Sequence, residues 1–205
     1  MRPVHVLALL TLALAACNAE RTVEAGADAA AAAIEAIEPA TEPAAAAEAI
    51  PDSGDARMDG YGDIEFGMTV DEAREDWSGN PLEAAGEPAA GSSCHHLVPA
   101  GQEAPAALAF MFEDDLFVRY SAGSTEITAP GGGRVGMDEA ALQGLYGKRL
   151  QSISHKYVEG GKVLMTGTDG GRLPSRLVFE LGADGRVTAW RVGLEPQVSY
   201  VEGCG

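Results

Sequence analysis

The chain has 205 residues, 46% of them hydrophobic, with 31 acidic and 14 basic side chains and a formal net charge of −17. That length holds one domain or two small ones with a core of ordinary size. So acidic a surface argues against nucleic acid and anionic lipid as partners and suits a cationic one.

Residues 1–17 read as a lipoprotein signal peptide. Arg2 and the amino terminus give a short positive region, and Val4 to Ala13 form an apolar run broken by His5 and Thr11. Leu14-Ala15-Ala16-Cys17 looks like the bacterial lipobox: an aliphatic residue, two small ones beside the scissile bond, and a thiol to carry the diacylglyceryl group. The competing reading is ordinary cleavage after an Ala-x-Ala site with an incidental cysteine. The apolar run is too short to span a bilayer, which takes about 20 residues. Several acyl chains on Cys17, each buried methylene adding about 0.8 kcal/mol, would make a stable membrane anchor. Asn18 lacks the aspartate that commonly retains such proteins at the inner membrane of Gram-negative cells. The expected location is therefore the outer membrane facing the periplasm, with surface display as the alternative.

Residues 18–58 are rich in Ala, Glu and Pro, with Ala29 to Ala33, Ala44 to Ala47, Pro39, Pro43 and Pro51, and carry nine acids and two bases. Few large apolar residues occur, so the segment reads as a disordered tether that cannot bury a core. As a coil, about 40 residues reach roughly 35 Å. Helix over Ala27 to Ile37 would be marginal alone.

From residue 59 the chain reads as α+β, in two similar units spanning 59–130 and 131–205 that form one domain. Phe66-Gly67-Met68-Thr69 is echoed by Val135-Gly136-Met137-Asp138, and Phe112-Glu113 by Phe179-Glu180; the Gly-Met pairs lie 69 apart and the Phe-Glu pairs 67 apart. Thr69 with Glu72 forms a capping box, so a helix starts there with Val70, Ala73 and Trp77 on one face. Asp138 caps a second helix without the glutamate partner. Gly79, with Asn80-Pro81 behind it, stops the first helix and Gly147 the second. Gly131 to Gly133 lie at the seam. Antiparallel strands follow each helix. Ala106 to Glu113 and Leu116 to Ser121 form a hairpin about Asp114-Asp115. His155 to Val158 and Lys162 to Thr166 form another, and Arg176 to Leu181 with Arg186 to Val192 a third.

Three cysteines are present. With Cys17 carrying lipid, Cys94 and Cys204 are expected as a disulfide in an oxidising compartment. The loop of about 110 residues would contribute roughly 4–5 kcal/mol in the chain-entropy model. A metal site at Cys94, His95 and His96 is the alternative, but adjacent histidines point apart on most backbones. No metal or other cofactor is expected.

The Gly67-Met68-Thr69 to Gly79-Asn80-Pro81 stretch resembles the small outer-membrane assembly (SmpA-like) lipoproteins of the β-barrel machinery. Its doubling is similar to the β-lactamase inhibitory protein fold, in which two helix-plus-sheet units sit side by side. Gly136 and Gly147 are 11 apart and Gly67 and Gly79 12 apart, and no proline follows Gly147. The Tyr200 to Cys204 tail resembles that of proteins loosely labelled lectins.

No phosphate loop, Gly-x-Ser-x-Gly or His-Glu-x-x-His occurs, and Ser92, Ser93 and His95 lack a placed third member, so no catalytic residue is expected. Asp114-Asp115 and Asp184-Gly185 fit turns for backbone reasons, with calcium binding the lesser reading. Tyr120 and Trp190 hold matching places in the two units, as do Ser121 and Arg191. Simple alternation puts Phe117 and Arg119 on the face opposite Tyr120. One sheet face must pack on the helices; the other would present aromatics with arginine, the composition of a binding surface. Phe117, Arg119, Tyr120, Trp190 and Arg191 are therefore the candidate binding face, unless the aromatics are core. The expected function is a non-enzymatic envelope binding module for a protein or glycan. The alternatives are a hydrolase inhibitor, a lectin-like protein, an assembly scaffold and an enzyme with a site built from scattered residues.

Overall fold

A computed structural model describes residues 49–102, 106–169 and 171–204. The expected signal peptide, Cys17 and most of the expected tether lie outside the described residues. After a two-stranded ribbon, β1 (Gly60–Tyr61) and β2 (Ile64–Glu65), comes helix α1 (Val70–Asp76), followed by β3 (Leu82–Ala84), β4 (Cys94–Pro99), β5 (Leu108–Glu113) and β6 (Leu116–Ala122). Helix α2 (Glu139–Tyr146) follows, then β7 (Gln151–Ser154), β8 (Lys162–Met165), β9 (Ser175–Leu181) and β10 (Val187–Leu194). Strands β3 to β10 make an eight-stranded sheet in the order β3-β4-β5-β6-β10-β9-β8-β7, every neighbouring pair antiparallel. The fold is an antiparallel sheet with few short helices. The order runs outward in both directions from the central β6–β10 pair, so each helix is followed by a four-strand meander that ends at the centre.

Local chemistry sets the helices. Thr69 Oγ1 accepts the Glu72 N–H at 3.3 Å and the Glu72 carboxylate accepts the Thr69 N–H at 2.8 Å, a complete capping box. Asp138 Oδ1 accepts the Ala141 N–H at 2.8 Å. Gly147 ends α2 at φ 56°, whereas α1 ends earlier than its glycine, at an extended Trp77. The Trp77 indole lies over Gly79, where a Cβ would come within 2.5 Å of the ring, and its Nε1–H donates to the Asn80 carbonyl at 2.8 Å. Gly79 thus makes room for the indole; it does not supply a left-handed cap.

The Gly-Met motifs have a specific task. Gly67 donates to the Phe117 carbonyl and Phe117 to that of Met68; Gly136 donates to Val187 and Val187 to Met137, all at 2.8–2.9 Å. Each motif thereby ties the start of its helix to the start of a central strand. Both glycines need the left-handed region, at φ 92° and 89°.

Three expectations change. The boundary at residue 58 moves: within 49–58, Ile50, Ala56 and Met58 are buried, and Ala56 bridges Ser53 and Tyr61. The Arg57 carbonyl accepts the buried Tyr120 hydroxyl at 2.7 Å. An alanine- and proline-rich average concealed three apolar anchors. The strand expected over His155 to Val158 lies instead at Gln151–Ser154. His155 ends it, because its Nδ1 accepts the N–H groups of Tyr157 and Val158 at 3.1 Å and curls the chain into a turn. Finally, Phe117 and Arg119 do not share a face. The β5–β6 register skips Val118, a β-bulge that turns Phe117 to the same side as Tyr120. The β9–β10 register skips Thr188 in the same way, 70 residues later, and turns Val187 to the side of Trp190 and Val192.

Candidate functional site

One face of the sheet, the front, packs on the helices and on residues 50–66. Its core is aromatic: Phe66, Phe110, Phe112, Phe117, Tyr120, Phe179 and Trp190 are all fully buried. Tyr120 and Trp190, in adjacent central strands, meet edge to face with ring centroids 5.7 Å apart. Phe117, Tyr120 and Trp190, expected as part of a binding face, are core residues: Tyr120 and Trp190 stand on the side that packs on the helices, and the bulge at Val118 turns Phe117 to join them.

The opposite face is covered at its centre by the chain's own C-terminal segment. Arg119, 7% exposed, donates from Nη1 to the carbonyls of Tyr200 at 2.7 Å and Gln197 at 3.3 Å, and from Nε to Ser121 Oγ at 3.0 Å. Arg191, 4% exposed, donates to the Val198 carbonyl at 2.6 Å and pairs with Glu180. Val198 fills an apolar cluster with Val163 and Val178. The Cys94–Cys204 disulfide, Cα atoms 5.3 Å apart, pins the segment to β4. Arg119 and Arg191 are thus clamps for this tail and present no charge to a ligand. Burial, with Arg191 nearby, pushes the Arg119 pKa down to about 9, and Glu180 opposes the shift. Three buried or half-buried backbone carbonyls are satisfied by these two guanidiniums, which explains arginines inside a small domain.

The histidines diverge as adjacent strand residues must. His95 stacks on Phe112 on the front, at 5.7 Å between centroids, while His96 lies on the back against Gly203. A cleft of about 270 Å³ beside the disulfide is lined by both histidines and by Glu87 and Pro88. Cys94 is committed to the disulfide, so the alternative metal set loses its thiolate; among the described residues no cluster of three or more His, Cys, Asp or Glu stands ready for a metal. Asp114 and Asp115 both take positive φ, 50° and 68°, as a two-residue hairpin turn requires. Asp184 Oδ1 accepts the Arg186 N–H within its own turn.

What stays open is the far end of the second meander. All four residues of β7 are exposed, and Ile153 and Tyr157, at 54% and 55%, are the most exposed large hydrophobics among the described residues. A groove of about 570 Å³ runs past the start of the strand, lined by Lys148, Arg149, Gln151, Thr166 and Thr168 among others. The chain's three lysines, 148, 156 and 162, all lie within or beside this region, and residues 140–158 contain no Asp or Glu. Sequence reasoning missed this site; the signal was the lone acid-free stretch of this length after the expected signal peptide.

Fold and surface together define an antiparallel α+β domain whose back face is covered at its centre by its own tail and whose β7 edge is exposed. No family model matches the chain, and no curated protein matches it. Two solved structures are similar at a low level. One is an extracellular protein containing a SCP domain from Bacillus anthracis strain Ames, 10% identical with a TM-score of 0.41, over 70% of this chain and 47% of that one. The chain thus spans about half the length of that protein. The other is the uncharacterized protein YfeY from Escherichia coli, also 10% identical with a TM-score of 0.41, over 72% of this chain and 98% of that one.

Proposed function

We propose that the chain is a lipid-anchored, non-enzymatic binding module of the bacterial cell envelope, held by Cys17 at the outer membrane on its periplasmic side and presenting its sheet domain to a protein or glycan. The lipobox-like Leu14 to Cys17 and the Cys94–Cys204 disulfide support the compartment: all three cysteines suit an exported chain. The observation that carries the binding reading is the asymmetry of the sheet. The centre of its back face is covered by a covalently fixed tail, while the β7 end is left exposed with apolar and basic side chains.

The domain is further read as two tandem units. Supporting this are the bulges at Val118 and Thr188 and the bridges Thr69–Leu116 and Asp138–Arg186, which recur at matching places. That arrangement favours one second reading, inhibition of an envelope hydrolase, through the resemblance to the tandem inhibitory fold. Both readings meet one experiment. Full-length protein is extracted from membranes and its N-terminal peptide weighed. It is then cross-linked in the intact envelope and, in parallel, applied to a glycan array. A diacylglyceryl mass on Cys17, release of Cys17→Ser from membranes, and one reproducible partner or glycan are expected. A hydrolase as the captured partner selects the inhibitor reading. An unmodified Cys17 refutes the anchor, and absence of any partner or glycan refutes the binding function in favour of a scaffold.

A further inference from the structure

The two edges of the eight-stranded sheet are built differently. At β3 the strand is three residues long, carries Glu83, follows Pro81 and precedes Glu87-Pro88. Proline, charge and shortness are the usual protections of a sheet edge. At β7 the strand is Gln-Ser-Ile-Ser, with neither proline, glycine nor charge. The antiparallel pattern fixes which backbone groups are open. His155 donates its N–H to the Gly161 carbonyl at 3.0 Å, and Ile153 pairs with Val163 in the same register. Alternation then turns the N–H and C=O of Ser152 and Ser154 away from β8, toward solvent. Ile153 stands on the back face beside them, and Tyr157 follows in the next turn, its hydroxyl on Glu202 of the tail.

The charge around this strand selects its occupant. Lys148 precedes it and Lys156, exposed and 3.9 Å from Glu202, follows it, in a chain whose net charge is −17. We infer that β7 is a docking edge for an extended, acidic strand of a partner protein, which adds to the sheet as a ninth strand. This rests on the binding reading above and names the partner's chemistry. The added strand pairs its backbone with Ser152 and Ser154, lays alternate apolar side chains on Ile153 and Tyr157, and sets acidic residues at its ends against the flanking bases. Antiparallel pairing of β7 with a second copy of itself would bring Lys148 of each copy toward Lys156 of the other, which disfavours self-association.

The test is a random-peptide display selection on the folded full chain, counter-selected on Ser154→Pro. That substitution removes one outward N–H and leaves the β7–β8 bonds in place, since proline is tolerated where the strand N–H faces solvent. Enrichment of acidic, proline-free alternating peptides is expected. Their affinity should fall about tenfold on Ser154→Pro, the scale of one lost backbone bond, and by a similar factor when salt rises from about 50 to 500 mM. The double reversal Lys148→Glu/Lys156→Glu, which touches only exposed side chains, should shift the enriched sequences from acidic to basic. Peptides that bind Ser154→Pro equally well, or carry no acidic bias, overturn the edge inference while leaving a binding function elsewhere intact. No enrichment overturns it as well, and the envelope cross-linking experiment then decides the binding reading separately. Concentration-dependent self-association abolished by Ser154→Pro would put a second copy on the edge and overturn the partner.

Discussion

The two helix-plus-meander halves share a frame and differ at their outer ends. In both, a Gly-Met pair ties a capped helix to a central strand, and a bulge one residue later turns the tied residue, Phe117 or Val187, into the core. In the first half, the outer strands receive the C-terminal tail through Cys94 and end at a short, charged edge. In the second, no cysteine reaches the outer strands, and the terminal strand is uncharged and exposed. Similar inner contacts therefore do not give similar surfaces. The inner contacts fix the fold, and the outer strands of each half take on separate tasks: one holds the chain's end, the other faces solvent.

The largest expected effect concerns what the first half alone possesses. Cys94→Ser with Cys204→Ser should cost up to about 4–5 kcal/mol by loop-closure entropy, read as a drop in the urea midpoint that added thiol reproduces in the parent. If reductant leaves the parent unchanged, the tail is held by its arginines and the disulfide adds little. Next come the matched aromatics. Trp190→Ala should lose about 3–5 kcal/mol through the cavity it leaves. Tyr120→Phe should lose only about 1 kcal/mol, the hydroxyl bond to the Arg57 carbonyl. A tolerated Trp190→Ala would contradict its place in the core.

His96, again on the first half, makes the tail contact acid-sensitive. Burial, then Arg119 and His95, push its pKa from 6.5 down to about 4. Between those values the unfolded chain binds a proton that the native chain refuses, so stability falls as pH drops below 6.5 and the loss levels off below about 4. His96→Gln should flatten the stability profile across that window, measured by urea titration at each pH. The smallest effect compares the caps. Thr69→Ala and Asp138→Ala should each cost about 1 kcal/mol. Hydrogen bonds from the Thr69 backbone, then its hydroxyl, hold Glu72 below the ordinary glutamate value. That support is present above the ordinary value and disappears as pH falls through the lowered one, so Glu72→Gln should remove it, with no such glutamate at the second cap.

Much of the frame was legible because it is local. The caps at Thr69 and Asp138, the hairpin about Asp114-Asp115 and the Gly-Met recurrence each depend on residues near one another in sequence. The pairing of Cys94 with Cys204 followed from there being only two cysteines besides Cys17. The site was not legible in the same way. Whether Phe117 shares the face of Tyr120 depends on one extra residue, Val118, and a bulge leaves no mark in the hydrophobic pattern until its partner strand is known. Arg119 and Arg191 looked like ligand contacts because their partners, the Gln197, Val198 and Tyr200 carbonyls, are main-chain groups that any sequence supplies. Likewise Ile50 and Met58 passed for tether, since burial of so few apolar residues needs a surface built elsewhere.

By itself, then, the sequence determined the acidic character, the expected export and anchoring signals, the two capped helices and the expected pairing of Cys94 with Cys204. These are consequences of composition, spacing and short-range hydrogen bonding. Tertiary structure decided which side of the sheet is core, that the tail covers the centre of the other side, and that the uncharged β7 lies at an edge. Those outcomes depend on register and on which strand lies at an edge, and both are set by pairing between residues far apart in the chain.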